Sequence, residues 1–362
     1  MAPIVRPGIL DIAPYIGGEA GLAGQQRVIR LASNESPLGP SPRAAEAYRA
    51  LAGELHRYPD GAAQALRDAI GRTFDLDPAR IVCGAGSDEL IGLLTRAYAG
   101  PGDEVLYSRH GFLMYAIAAR SVGATPVAAA ERDLTADVDA LIAATTARTR
   151  ILFLANPNNP TGSILPADTV RRLREALPDD VLLVIDAAYA EYVGRNDYEP
   201  GAALVDAGDN VVMLRTFSKI YGLAALRLGW AYCPPAVADV LNRVRGPFNV
   251  AAPALAAGVA ALADAAHTRA ARESNDRWLP WFRDQASALG FTAWPSAGNF
   301  VLLQFAADPA RGADAACRFL NARGIIPRRM AAYGLPDCLR VTIGDEADMR
   351  AVVDALAAFV AG

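Results

Sequence analysis

Lys219 is where this chain could do covalent chemistry. It closes Thr-Phe-Ser-Lys (216–219), directly after the apolar, β-branched run 211–214, and Arg227 lies eight positions beyond it. α/β proteins gather their reactive groups where buried strands end. An amine leaving such a strand beside hydroxyls and a guanidinium is desolvated and close to a cation. Both effects lower its pKa towards neutrality and make it an imine-forming nucleophile. Taken alone, Ser-Lys reads as readily as a solvated loop corner.

Three further constellations bear on the choice. Asp186 follows the apolar run 181–185, where a carboxylate is costly without a cationic partner, although it could also cap a helix. Tyr189, three residues on, is either a ligand-facing phenol or a half-buried tyrosine satisfied by backbone. Gly-Ala-Gly-Ser-Asp-Glu (84–89) follows an expected strand and opens a helix, so its free N–H groups and positive dipole end suit a phosphate. A dinucleotide fingerprint would need a third glycine where Glu89 stands. Asn-Pro-Asn-Asn-Pro-Thr-Gly (156–162) is an extended, turned loop that presents an amide rigidly, or else simply turns. Pyridoxal 5'-phosphate answers these demands together. It offers an aldehyde for the lysine, a protonatable ring nitrogen for Asp186 and a phosphate for the helix end.

The elements that must position these groups are legible in the hydrophobic pattern. From residue 80, short apolar strands alternate with helices, with strands expected at 81–83, 104–107, 125–128, 151–154, 181–185, 211–214 and 229–233. The runs at 151 and 181 are apolar without alternation, as in strands covered on both faces, which predicts a doubly wound, mostly parallel α/β sheet. Before it, Ser41-Pro42 is an N-cap and first-turn proline for a helix over 42–54, and a second helix runs to about Phe74. After it, an alanine-rich helical pattern spans about 253–289, and a smaller α/β unit carries strands near 300–304 and 339–343. The expected division is an N-terminal arm over 1–45 that completes the small unit, a large domain over 46–252 and a small domain over 253–362.

Composition narrows the partners. Of 362 residues, 35 are basic and 39 acidic, interspersed to a net charge of −4, which argues against nucleic acid. No apolar stretch has the length of a membrane span or a signal peptide, so a cytoplasmic protein is expected. The four cysteines, Cys83, Cys233, Cys317 and Cys338, are too far apart in sequence to suggest a metal site, and they are expected to be reduced.

In their order, Gly-Ser-Asp-Glu (86–89), the Asn-Pro loop (156–162), Asp-Ala-Ala-Tyr (186–189), Thr-Phe-Ser-Lys (216–219) and Leu-Arg-Leu-Gly (226–229) resemble the fold-type I aminotransferases that use pyridoxal phosphate. Asn-Glu-Ser-Pro-Leu-Gly-Pro-Ser-Pro (34–42), Arg-Tyr-Pro-Asp-Gly (57–61), Gly-Pro-Phe-Asn-Val (246–250) and Cys-Leu-Arg-Val-Thr-Ile-Gly (338–344) are similar to the histidinol-phosphate aminotransferase branch. The resemblance implies that Lys219 holds the cofactor and shuttles the proton. It places Asp186 at the ring nitrogen, and Asn159 and Tyr189 at the ring hydroxyl. Ser87, Asp88, Thr216, Ser218 and Arg227 would bind the phosphate, with Tyr58 reaching over from the second subunit of a homodimer. Phe112 would stack on the ring, with His110 and Tyr115 as rivals. Arg340, Arg328, Tyr15 and Asn34 would meet a small-molecule amino donor and a 2-oxo acid acceptor. Two departures from the family pattern, Ser36 in the arm and Arg-His-Gly (109–111) before Phe112, bear on the substrate. The same scaffold also serves aromatic aminotransferases and decarboxylases. A cofactor-binding regulator would need a basic recognition helix, and the two expected domains leave no length for one.

Overall fold

A computed structural model describes residues 3–18, 21–22 and 28–362, so the arm expected over 1–45 lies partly outside the described residues. Seven strands form the main sheet: β1 (Ile81–Gly84), β2 (Glu104–Ser108), β3 (Thr125–Ala129), β4 (Thr149–Ala155), β5 (Leu182–Asp186), β6 (Val211–Thr216) and β7 (Gly229–Tyr232). Their order is β1-β7-β6-β5-β4-β2-β3. Only β7 runs against its neighbours, pairing antiparallel with both β1 and β6. The other pairings are parallel. This is the doubly wound α/β sheet expected from the unbroken apolar runs.

Those runs work because each strand is buried on both faces. Leu152, Leu154, Leu183, Ile185, Val211 and Met213 enter one core, while Ile151, Phe153, Leu182, Val184, Val212 and Leu214 enter the core on the opposite face. The period of two splits these strands between two helical layers, and each such side chain contributes roughly 1.5–3 kcal/mol by burial, whereas the edge strand β3 is only partly buried. Parallel strands also bring their carboxyl ends to one edge. There, Ala155 pairs with Asp186 and Asp186 with Leu214, so the ends of β4, β5 and β6 lie side by side.

The first helix, α1 (Pro42–Ala50), starts as expected, with the Ser41 hydroxyl accepting from the Ala44 N–H, and stops short of residue 54. The next helices are α2 (Gln64–Phe74), α3 (Ser87–Tyr98) and α4 (Met114–Val122). The alanine-rich pattern divides into two helices, Ala252–Leu262 and Ala265–Ala288, because Asp264 caps the second through the His267 N–H. The first of these packs on α1 and α2, and its Ala254, Ala257 and Ala261 join the core of the main sheet.

A four-stranded sheet, containing Thr292–Ala293, Phe300–Gln304, Arg328–Arg329 and Cys338–Thr342, forms the second unit. The arm reaches this unit directly, since Ile29–Arg30 pairs in parallel with Ile325–Ile326 and Thr342 donates to the Leu31 carbonyl.

Candidate active site

Lys219 leaves β6 within a loop whose backbone is tied by the Ser218 N–H donating to the Thr216 hydroxyl at 3.1 Å. Its Nζ donates to the Ser33 carbonyl of the arm at 3.1 Å and stands 5.7 Å from the centre of the Tyr189 ring. Burial, and after it the Arg340 guanidinium, push the ammonium pKa down to about 8. The neighbouring β5 ends on Asp186, which is buried at 5% exposure. Tyr115 donates its hydroxyl to Asp186 Oδ2 at 2.8 Å, and the Ala188 N–H donates to Oδ1 at 3.3 Å. Desolvation outweighs both donors and raises the carboxyl pKa to about 6. A carboxylate so placed gains from any cationic donor that enters the cavity.

On one side the cavity is built for an anion. The chain turns from β1 into α3 through Gly86, whose φ is +85° and whose added Cβ would stand 2.5 Å from Arg227 Nη2. At the N-cap of α3, Gly86 offers no side chain to the first N–H groups. Arg227 spans this end, donating from Nη2 to Asp88 at 3.0 Å and from Nη1 to the Ser218 hydroxyl at 3.2 Å. Uncapped helix N–H groups, two hydroxyls and a guanidinium form a ready phosphate cradle.

The arm and the second sheet close the other side. Arg340 is buried and donates to the Ala32 carbonyl at 2.7 Å and to the Asn159 side-chain oxygen, while its Nε is buried without a hydrogen-bond partner among the described residues. The Asn159 loop is pinned by Asn156, which exchanges two hydrogen bonds with the backbone of Leu165. Asn34, at φ +55°, donates to the Tyr189 hydroxyl at 2.8 Å and accepts from Thr342 at 3.2 Å, so its amide also ties the arm to both units. Arg328 donates to the Ile16 carbonyl at 2.5 Å and lies 5.9 Å from the Tyr15 ring centre.

One cavity of about 250 Å³ brings together Lys219, Asp186, Tyr189, Asn159, Ser87, Asp88, Thr216, Ser218, Arg227, Phe112, Arg340, Arg328, Tyr15 and Asn34. Of the expected site residues, Tyr58 alone is elsewhere. It is 83% exposed and stacks on Phe248 at 4.7 Å. Phe112 faces the cavity, whereas its two rivals do not line it. His110 pairs with Glu131 at 2.6 Å, and Tyr115 lies fully buried against Phe153. Sequence reasoning missed Tyr333, which lines the cavity from the second unit, and the bond between Tyr115 and Asp186. Ala-Ala-Tyr-Gly (331–334) carries no signal of its own. The i, i+3 spacing of Phe112 and Tyr115 across a helix start was a usable one.

Residues 26–356 match the family model described as aminotransferase class I and II. The histidinol-phosphate aminotransferase of Paramagnetospirillum magneticum is 63% identical over 99% of both chains, and that of Rhodospirillum rubrum 61% identical over 99% of this chain and 98% of its own. The crystal structure of the Sinorhizobium meliloti histidinol-phosphate aminotransferase in complex with pyridoxal-5'-phosphate superposes with a TM-score of 0.91 at 31% identity, covering 99% of this chain and 98% of that one. A Thermus thermophilus aspartate aminotransferase, 22% identical over 92% of each chain with a TM-score of 0.81, shares the fold. This chain belongs to the class I and II aminotransferases and, within them, to the histidinol-phosphate aminotransferase family.

Proposed function

We propose that this chain is a pyridoxal-phosphate-dependent aminotransferase that converts histidinol phosphate and 2-oxoglutarate to imidazole acetol phosphate and glutamate in histidine biosynthesis. The observation that carries the reaction type is a single cavity holding a low-pKa amine, a buried carboxylate in want of a cation and an arginine at each side. The near-full-length identity to histidinol-phosphate aminotransferases supports the substrate.

The residues fit the cofactor. Gly86 leaves room beside Arg227 that a Cβ would fill, and the uncapped start of α3 suits a phosphate. Lys219 would hold the cofactor covalently, Asp186 would meet its ring nitrogen, and Asn159 and Tyr189 its ring hydroxyl. Ser87, Asp88, Thr216, Ser218 and Arg227 would hold its phosphate, and Phe112 would lie on its ring. Bound there, the cofactor supplies an electron-withdrawing ring that acidifies the substrate α-carbon.

With a pKa of about 8, roughly one Lys219 amine in ten is neutral at pH 7. An ordinary lysine offers fewer than about one in a thousand. Once free, that amine would carry a proton between the substrate α-carbon and the cofactor carbon that bears the substrate nitrogen. Asp186, ionised above about pH 6, would keep the ring nitrogen protonated. The partnerless Nε of Arg340 is a donor that a substrate carboxylate or phosphate oxygen would satisfy.

Tyr58, exposed on the surface of its own subunit, would complete the phosphate site of a second one, which makes the working unit a homodimer. A cytoplasmic location accompanies this reading, as does a division into arm, large domain and small domain. The packing of the helix Ala252–Leu262 on α1 and α2 supports a large domain that extends past residue 252.

A second reading, aromatic amino-acid transamination, draws on the cleft of about 460 Å³ beside Tyr15, lined by Leu113, Ala116 and Ile117. Comparing kcat/KM for histidinol phosphate, phenylalanine, tyrosine and aspartate with 2-oxoglutarate decides between the two. A preference for phenylalanine over histidinol phosphate by more than about tenfold, or about 1.4 kcal/mol of transition-state binding, overturns the first.

A further inference from the structure

We infer that Tyr115 is a positioning residue for this reaction: its hydroxyl orients the Asp186 carboxylate while its ring backs Phe112, so one buried side chain sets two walls of the cavity. The inference rests on the role proposed above for Asp186 and adds a residue that touches neither cofactor nor substrate.

Tyr115 lies in the first turn of α4 and is fully buried. Its ring stacks on Phe153 of β4 at 4.6 Å with the planes 1° apart, and Tyr107 of β2 closes in at 6.2 Å. Phe112 meets it edge-on at 6.0 Å and 88°, and the Tyr115 N–H donates to the Phe112 carbonyl at 3.0 Å. Packing of this kind leaves the phenol no other rotamer, so the hydroxyl is delivered to Asp186 Oδ2 along a fixed direction.

With the Ala188 N–H on Oδ1, the carboxylate has a donor on each oxygen, and Asp186 lines the cavity. The groups around the pair are Asp88 from α3, Lys219 after β6, Tyr189 and Tyr198 after β5, and Tyr333 from the second unit. Burial and the adjacent Asp186 push the Tyr115 phenol well above its usual range, which keeps it a donor wherever Asp186 is ionised. A donor to the ionised form opposes the desolvation of Asp186.

The test is Tyr115→Phe, which removes one oxygen and keeps the ring stack. Pyridoxal phosphate is titrated into the apoprotein from pH 5 to 9, and the infrared carboxyl band that Asp186→Asn abolishes is followed over the same range. The carboxyl titration and the acid limb of cofactor binding are expected to move up by about one pH unit, so that the Kd at pH 5 rises about tenfold and the Kd at pH 8 stays nearly unchanged. In an Asp186→Asn background, the same substitution should change the Kd less than about twofold, because the hydroxyl acts through that carboxylate.

An unmoved carboxyl titration overturns the pairing. An equal loss in both backgrounds overturns the positioning role in favour of a structural one. If Asp186→Asn alone leaves cofactor binding and turnover intact, the assignment of Asp186 falls, and the infrared band still decides the pair. Should Tyr115→Phe fail to fold, 3,5-difluorotyrosine at position 115, a stronger donor of the same shape, should move the acid limb down. No movement there overturns the inference as well.

Discussion

Asp186→Asn should make the cofactor-free protein more stable while disabling the enzyme, and the effect should depend on pH in a defined sense. A carboxyl held at about 6 in the fold, against 3.8 in the open chain, costs the ionised native state about 3 kcal/mol. Because the folded pKa is the raised one, the penalty is fully present above about pH 6 and disappears as pH falls from 6 towards 4. Asparagine carries no such penalty. It retains an acceptor for the Tyr115 hydroxyl but has lost one of two oxygens, so a net gain of about 1–2 kcal/mol remains. For a chain of 362 residues this is about 2 °C in Tm. Thermal unfolding of wild-type and variant apoprotein, followed by circular dichroism between pH 4 and 8, measures it. Turnover of the reconstituted variant should fall by on the order of a hundredfold or more, since the charge matters most as the carbanion develops. A variant less stable than wild type at pH 8, or a difference that does not shrink towards pH 4, refutes the argument.

The Lys219 amine should make covalent reconstitution of apoprotein with pyridoxal phosphate accelerate as pH rises and level off above about 8, by stopped-flow absorbance, and Lys219→Ala should abolish turnover. A plateau only near pH 10 would mean an ordinary lysine. Arg340→Lys should lower kcat/KM by about tenfold or more for every substrate, because an ammonium cannot serve Ala32, Asn159 and a substrate anion at once, and wild-type steady-state kinetics would contradict this. Gly86→Ala should weaken cofactor binding by at least about tenfold, since the positive φ strains any residue with a Cβ and the Cβ would push the Arg227 guanidinium out of the cradle, and an unchanged Kd by fluorescence titration would tell against the phosphate cradle. Mixing Lys219→Ala with Tyr58→Phe subunits should restore activity through one intact site per heterodimer, and verified subunit exchange without recovery would return Tyr58 to its own subunit.

Much of this was written locally in the chain. The inner strands of the main sheet were legible because burial on both faces leaves an unbroken apolar run, and Ser41-Pro42 announced α1 because capping is decided within four residues. The reactive groups were legible for a related reason. Parallel strands share one carboxyl edge, so Asn159, Asp186 and Lys219, each at or just beyond the end of a strand, converge on one edge whichever strands are neighbours. What depended on contacts distant in sequence was not legible. The break at Asp264 is the exception: its cap is local, with the side chain accepting from the His267 N–H, but it lies inside an otherwise continuous alanine-rich helical pattern that hides it. Tyr115 read as a rival to Phe112 for the ring face, because its type and position near the cavity suited either task. Only the packing of its ring on Phe153, one strand away, turns the hydroxyl inward to Asp186, 71 residues distant. Tyr333 and the arm enter the cavity through pairings between chain ends, such as Ile29 with Ile325. A local pattern states which face of an element is apolar, and only the assembled core decides which partner that face meets.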